Sequence, residues 1–477
     1  MQMTTKNLIA VVAMGCLAAH GESVSATPAP AAEQPALEAS SAFDFNAGAD
    51  LRIRQEIMHN VPSMQNGMIG RPGVMRGQTR NHMRFRPRVW AELKMGDNWR
   101  IYSRLCDEFR AGLVQADKVR AQTWPGEVVV DNLYLEGKGL FDDTLDVLVG
   151  RRDIYRLFGL DHIFVDGTTG DGSRSVYADM AMLTWHVDED STLDVFGIFN
   201  KDREYMRLGT HRSYDGTQLT GFGGNDTEMD DWGWGAVWGS KVDFVKYQLM
   251  GIQKNTASFH RRGVKHPRRQ VNMFGTKVVP FWTENFSTPL EAYGQVGRNG
   301  ENDSLTGWST YTGIDWRDRS KKTWRPFVEA GLLVFSGDKG AMNEDGGHHG
   351  WDPMWYRGID DSEMFLYGST YGVGWWSNMY NLKTRFGMEI GPRHVLAIQM
   401  GPMFAQQQDH GGGGDGMYKG FLSQLRYDFP LWSGAKDGAL ERFQVFGHVL
   451  LEHFAPGDYY ETDKPAYFVR WQIDFKF

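Results

Sequence analysis

Between residues 52 and 110 of this 477-residue chain, arginines recur at even spacing. Arg52 and Arg54 stand two apart, as do Arg84, Arg86 and Arg88, and Arg100, Arg104 and Arg110 follow in the same rhythm. A guanidinium is planar, offers five donors and stays charged at any working pH, so it grips carboxylates bidentately. A wall of such groups suits reversible binding of anions. Arg325, Lys383, Arg385, Arg426 and Arg470 extend the basic set, and Glu92, Glu108 and Glu329 are interleaved with it, together with Asp50, Glu56, Glu389, Asp428 and Asp474. Carboxylates among the arginines fix their geometry and weaken their hold on an anion. A transport site needs that, because what enters must also leave.

Period-two alternation is the pattern that positions these groups. Tyr467, Val469, Trp471, Ile473, Phe475 and Phe477 take one parity of the last twelve residues, and Phe468, Arg470, Gln472, Asp474 and Lys476 the other. Side chains on a strand alternate faces, so one face is bulky and apolar and the other polar. That is the pattern of a barrel strand with lipid outside and water inside. A chain that ends on it with Phe477 carries the mark read by the barrel-assembly machinery. Met83, Phe85, Pro87, Val89, Ala91 and Leu93 alternate in the same way with Arg84, Arg86, Arg88, Trp90 and Glu92. Pro87 is expected at a bulge or where its missing donor meets no partner.

Counting such segments gives about 18 strands: 43–54, 83–95, 99–110, 128–139, 145–155, 178–187, 192–200, 232–240, 245–254, 269–280, 286–297, 307–317, 324–335, 379–391, 395–407, 421–432, 442–454 and 466–477. Short and long connections alternate, as short periplasmic turns and long outer loops do in bacterial barrels. The long ones are 58–81, 111–127, 156–177, 201–231, 255–268, 298–306, 336–378, 408–420 and 455–465. Residues 364–374 could pass for another strand, but assigning them to the outer loop keeps the count even and both termini periplasmic. Trp99, Trp185, Trp232, Trp234, Trp324, Trp432 and Tyr467 fall near strand ends, where interfacial girdles sit. The fold class expected is all-β, a membrane-spanning antiparallel barrel over 42–477 in contact with outer-membrane lipid.

The rest of the chain agrees with export. Residues 1–26 read as a signal peptide, with Lys6, an apolar core from Leu8 to Ala19 and Val24-Ser25-Ala26 as the cleavage site. Residues 27–41 read as a disordered leader rich in Ala, Pro and Glu. Cys106 is then the only cysteine left, so no internal disulfide holds the mature chain. A formal charge of -8 gives no basic excess to bind nucleic acid. His348 and His349 with Asp345 and Asp352 are a poor metal set, and Gly221 to Gly224 lacks the strand-to-helix setting of a dinucleotide loop. No G-x-S-x-G elbow is present, and neither an enzyme nor a cofactor is expected.

Several segments together resemble the alginate-export family of outer-membrane porins. They are Met83 to Arg88 with Trp99 to Tyr102, Asp131 to Glu136 leading into Val149-Gly150-Arg151-Arg152-Asp153-Ile154, Gly172 to Asp179, Ser336-Gly337-Asp338 with Trp351 to Met354, and His448 to Gly457. The resemblance implies a monomeric 18-stranded channel. It would pass an anionic polysaccharide or oligosaccharide through an arginine-lined, anion-selective constriction in the bacterial outer membrane. Arg151 matches the family's Gly-Arg position, yet strict parity places it on the lipid face. Either a bulge re-aims it or Arg152 takes the lumen role. The alternative function is a general porin, or an uptake channel for small hydrophilic solutes. The length of 336–378 and its Gly347-His-His-Gly350 run suggest a loop that folds inward or acts as a lid.

Overall fold

A computed structural model describes residues 43–60, 79–113, 128–153, 177–201, 206–208, 230–261, 264–300, 303–320, 323–338, 347–352, 354–355, 362, 377–391, 393–408, 414–434, 442–461 and 463–477. The expected signal (1–26), leader (27–41) and the ambiguous stretch 364–374 lie outside these residues.

Eighteen strands form one closed sheet. They are β1 Phe43–His59, β2 Thr79–Met95, β3 Trp99–Cys106 continued by Phe109–Gly112, β4 Val128–Gly139, β5 Leu145–Asp153, β6 Tyr177–Asp188, β7 Ser191–Asn200, β8 Asp231–Val242 and β9 Val245–Thr256. There follow β10 Arg269–Thr283, β11 Phe286–Ser287 continued by Leu290–Asn299, β12 Asp303–Arg317, β13 Trp324–Phe335, β14 Met379–Ile390, β15 His394–Phe404, β16 Tyr418–Ser433, β17 Gln444–Pro456 and β18 Ala466–Lys476. Each strand pairs antiparallel with its sequence neighbours, and β1 pairs with β18 from Asp50↔Lys476 to His59↔Tyr467. Phe477 completes the seam by donating its N–H to the Ala49 carbonyl at 2.8 Å. Closure leaves no edge, the condition for a sheet to stand in hydrocarbon. Strand number and phase agree with the alternation read from the sequence. One outer connection differs: β11 and β12 stay paired as far as Asn299↔Asp303, so the expected loop 298–306 shrinks to residues 300–302.

The outward face is apolar, with Phe45, Val89, Leu249, Phe274 and Ile398 among its exposed side chains. Trp99, Trp185, Trp324 and Trp432 mark its short-turn end, and Trp234 and Tyr467 its long-loop end. Trp232 is half-buried. The inward face is divided. Strands β1 to β4 turn charge inward, whereas β6 to β10 turn inward Met180, Phe196, Ile198, Val237, Met250, Ile252, Val271 and Met273, all buried.

Two bulges shape the charged side. The break in β3 at Asp107 and Glu108 buries both carboxylates, and the Asp107 N–H donates to the Pro87 carbonyl at 3.0 Å. Pro87 itself lies in unbroken register with Leu51, and the irregularity falls opposite it, on the neighbouring strand. In β4 the register steps from Arg104↔Asn132 to Leu105↔Val130, which leaves Asp131 as the extra residue.

The substitution Ile398→Arg, on the lipid face midway along β15, should cost about 2–4 kcal/mol of stability in bilayers. Urea titration in lipid vesicles measures it, and an unchanged midpoint would contradict this orientation of the sheet.

Candidate functional site: a charged wall and a loop across the lumen

The charged wall is built around two carboxylates. Glu56 of β1 lies 3.0 Å from Arg54 Nε and from Arg84 Nη1, 2.7 Å from Arg470 Nη2 and 3.2 Å from His82 Nε2. Glu108, set inward by the β3 bulge, takes Arg84 Nη2 at 2.7 Å and Arg110 Nη2 at 3.4 Å, and lies 3.9 Å from Arg52 Nη2. Register explains the convergence, because Arg54↔Arg84 and Glu56↔Arg470 are cross-strand partners and Arg84 also faces Arg110. Among the described residues, five guanidiniums thus share two carboxylates.

Arg86 sits beside them, across from Arg52. It is 5% exposed, and neither its Nε nor its Nη1 meets an acceptor. The even spacing predicts a water-facing row. Instead Arg52, Arg54, Arg84, Arg86 and Arg470 are buried. They form an electropositive backing to the wall.

Nearer the short turns Arg100 and Arg152 keep contact with water. Arg100 bonds Glu92 at 3.0 Å and the Tyr134 hydroxyl at 3.2 Å, and reaches Glu136. Its side chain is 30% exposed. Arg104 grips Asp131 through two bonds of 2.8 and 2.9 Å and Asp153 at 2.7 Å. Arg88 reaches both oxygens of Asp50 from Nε alone, at 2.8 and 2.9 Å. Arg152 lies 3.6 Å from Glu136 and over the Tyr134 ring, so it belongs to the inward set. Arg151 is buried in a fork with Asp179, at 2.8 and 3.1 Å, donates to the Val130 carbonyl and lies over the Tyr177 ring. The backbone turn at Gly150, with φ of 129°, precedes this change of direction. Of the two alternatives, Arg152 takes the lumen position and Arg151 ties β5 to β4 and β6.

Strands β12 to β16 carry a second, more evenly matched network. Arg317 bonds Glu329 and Glu389, Arg385 meets Glu329 at 2.9 Å, Arg325 meets Glu389 at 2.7 Å, and Arg426 meets Asp428 at 2.7 Å. Lys383 lies over the Tyr311 ring. Arg317, Asp131, Glu136 and Asp153 were not among the expected positions. Alternation from Tyr311 through Asp315 would have found Arg317, whereas the bulge hides Asp131.

Between β13 and β14 the chain enters the barrel. The Gln295 side chain of β11 exchanges two hydrogen bonds with the Asp352 backbone, at 2.7 and 2.8 Å. Arg269 of β10 meets the Asp352 carboxylate at 2.9 Å, Lys254 of β9 donates to the Met354 carbonyl at 2.7 Å, and Trp355 Nε1 donates to Asp231 of β8 at 3.2 Å. Trp351 stacks on Phe335. Seven residues beyond Trp355, the Ser362 hydroxyl donates to Glu452 of β17 at 2.9 Å. Strands β8 and β17 are nine apart in a ring of eighteen, so these contacts touch opposite walls. His348 and His349 sit on the rim, against Asn299 and Thr306.

No protein-family model matches this sequence, and no curated protein matches it. Solved structures do resemble it. Acinetobacter baumannii OccAB2 superposes with a TM-score of 0.51 at 9% identity, over 91% of this chain and 98% of that one. Pseudomonas aeruginosa OpdQ gives 0.51 at 12%, over 91% and 97%. Pseudomonas aeruginosa OpdK with vanillate gives 0.50 at 9%, over 91% and 98%. At these identities the likeness shows the outer-membrane porin barrel fold alone, and the alginate-export part of the resemblance drawn from the sequence has no support among them.

Removing the hub charge with Glu56→Gln strands several buried guanidiniums and should cost about 3–5 kcal/mol. Urea unfolding of the folded barrel measures the loss, and a change below about 1 kcal/mol, the scale of an exposed pair, would contradict a buried hub.

Proposed function

We propose that this protein is a passive channel of the bacterial outer membrane for small hydrophilic solutes, with a preference for carboxylates. The observation that carries the size limit is the loop between β13 and β14, which touches Asp231, Lys254, Arg269 and Gln295 on one side and Glu452 on the other. A strap bonded to facing walls narrows the lumen and opposes a threaded polymer. The number of bonds favours a fixed constriction over a lid.

The carboxylate preference rests on the wall. Guanidiniums cluster around Glu56 and Glu108, and Arg100, Arg110 and Arg152 bring positive charge to water. Low-dielectric surroundings and a narrow bore focus such a field. The half-exposed arginines replace part of a carboxylate's hydration, and Glu92 and Glu136 compete for them and limit the residence time. The vanillate bound in the OpdK structure is a small carboxylate of the class this wall would admit. An anionic oligosaccharide is the larger solute of the same chemistry.

Swelling of liposomes containing the protein tests the reading. Vanillate and galacturonate should enter faster than neutral solutes of equal size, an alginate polymer should not enter, and Arg100→Glu with Arg152→Glu should abolish the preference. Equal rates for acids and neutral solutes in the wild type would reject it. Replacing residues 347–362 by a short Gly-Ser linker should raise single-channel conductance, and an unchanged conductance would sink the constriction.

A further inference from the structure

The outward face is apolar along most of its height, but not at the long-loop end of β8 to β11. Two in-register rows cross the four strands there. The upper row is Trp232, Asn255, Gln270 and Arg298, and the lower is Trp234, Gln253, Asn272 and Val296. The lower row is wired: Trp234 Nε1 donates to Gln253 at 3.1 Å, Gln253 to Asn272 at 2.8 Å, and Asn272 to the Val296 carbonyl at 3.2 Å. Trp234 is nonetheless 60% exposed. Such ordering fixes a polar plate at the level of the lipid headgroups.

Two cations cap the plate. The Arg268 guanidinium lies over the Trp232 ring at 5.7 Å, and its backbone carbonyl accepts the Gly300 N–H at 2.7 Å. Arg298 is two residues before Gly300, so the two arginines are diagonal neighbours, roughly 7–8 Å apart at the backbone. Both are exposed, and neither pairs with a carboxylate among the described residues. Directly below the rows run Ala236, Gly251, Phe274 and Gly294 in register, and the space a side chain at Gly294 would fill is open.

We infer that this flank binds one phosphorylated glycolipid of the outer leaflet. Arg298, and Arg268 once it turns from the Trp232 ring, take phosphate oxygens through charge-assisted hydrogen bonds. Trp232 and Trp234 offer flat faces to the sugars, the half-buried amides of Gln270 and Asn272 meet their hydroxyls, and an acyl chain descends over Gly251 and Gly294. Charge complementarity selects this occupant over a second copy of the chain, which would bring two more guanidiniums to the same plate.

The molecule contains its own control. Almost opposite, Trp471 Nε1 donates to Gln55 at 2.8 Å and Gln55 to Asn81 at 2.9 Å, the same relay on β18, β1 and β2. Its rim carries the His59–Thr79 contact in place of guanidiniums. The inference rests on the membrane placement proposed above but not on what the pore admits.

Native mass spectrometry of the detergent-solubilised full barrel, titrated with diphosphoryl lipid A, tests it. The wild type should hold one lipid, and Arg268→Gln with Arg298→Gln should weaken binding by about tenfold or more. Gln55→Ala should leave binding intact, and the conductance of the double variant should be unchanged, which separates this site from the pore. Heat-modifiable gel mobility confirms that each variant is folded. Equal binding of a dephosphorylated lipid A, full binding by the double variant, a wild type that binds none, or a dimer formed through this flank would each overturn the inference.

Discussion

Every feature of this molecule answers to one constraint: a backbone in hydrocarbon has no water to bond. Each N–H and C=O must find a partner within the sheet, so eighteen strands close on themselves and β1 meets β18. Closure fixes the parity of every strand at once. A one-residue slip at any seam would turn arginines to lipid and valines to water, which is why the register from Asp50↔Lys476 to His59↔Tyr467 is continuous.

Within that cylinder the interior is not uniform. Strands β1 to β4 concentrate guanidiniums around Glu56 and Glu108, and β6 to β10 turn methionine, isoleucine, valine and phenylalanine inward. Bulges make the charged side workable. The break at Asp107–Glu108 and the extra Asp131 bring carboxylates to positions that regular pleating would not reach, and each then holds more than one basic partner or a bidentate one. The loop from β13 to β14 adds the remaining asymmetry, since its backbone bonds to inward side chains of the β8–β11 wall before it reaches β17.

Much of this was legible in the sequence. Alternation gave all eighteen strands, because a face against lipid tolerates few exceptions and the signal repeats along each strand. It gave the inward parity of the arginines for the same reason. Their burial was not legible, since it depends on which carboxylate lies across two strand pairs. Arg151 and Arg152 needed the turn at Gly150 to be told apart. Arg298 and Asn299 read as loop because they are polar, but polar residues at the outer end of a strand lie beyond the hydrocarbon and stay paired. The inward course of the long loop is set by Gln295, Lys254 and Asp231, residues far from it in sequence, and no local pattern announces such contacts.

The most direct measurement is the reversal potential of the wild-type protein in a planar bilayer under a potassium chloride gradient. The proposed carboxylate preference requires discrete conducting steps with chloride more permeant than potassium. Potassium preference, or a folded barrel that carries no current, would contradict the account.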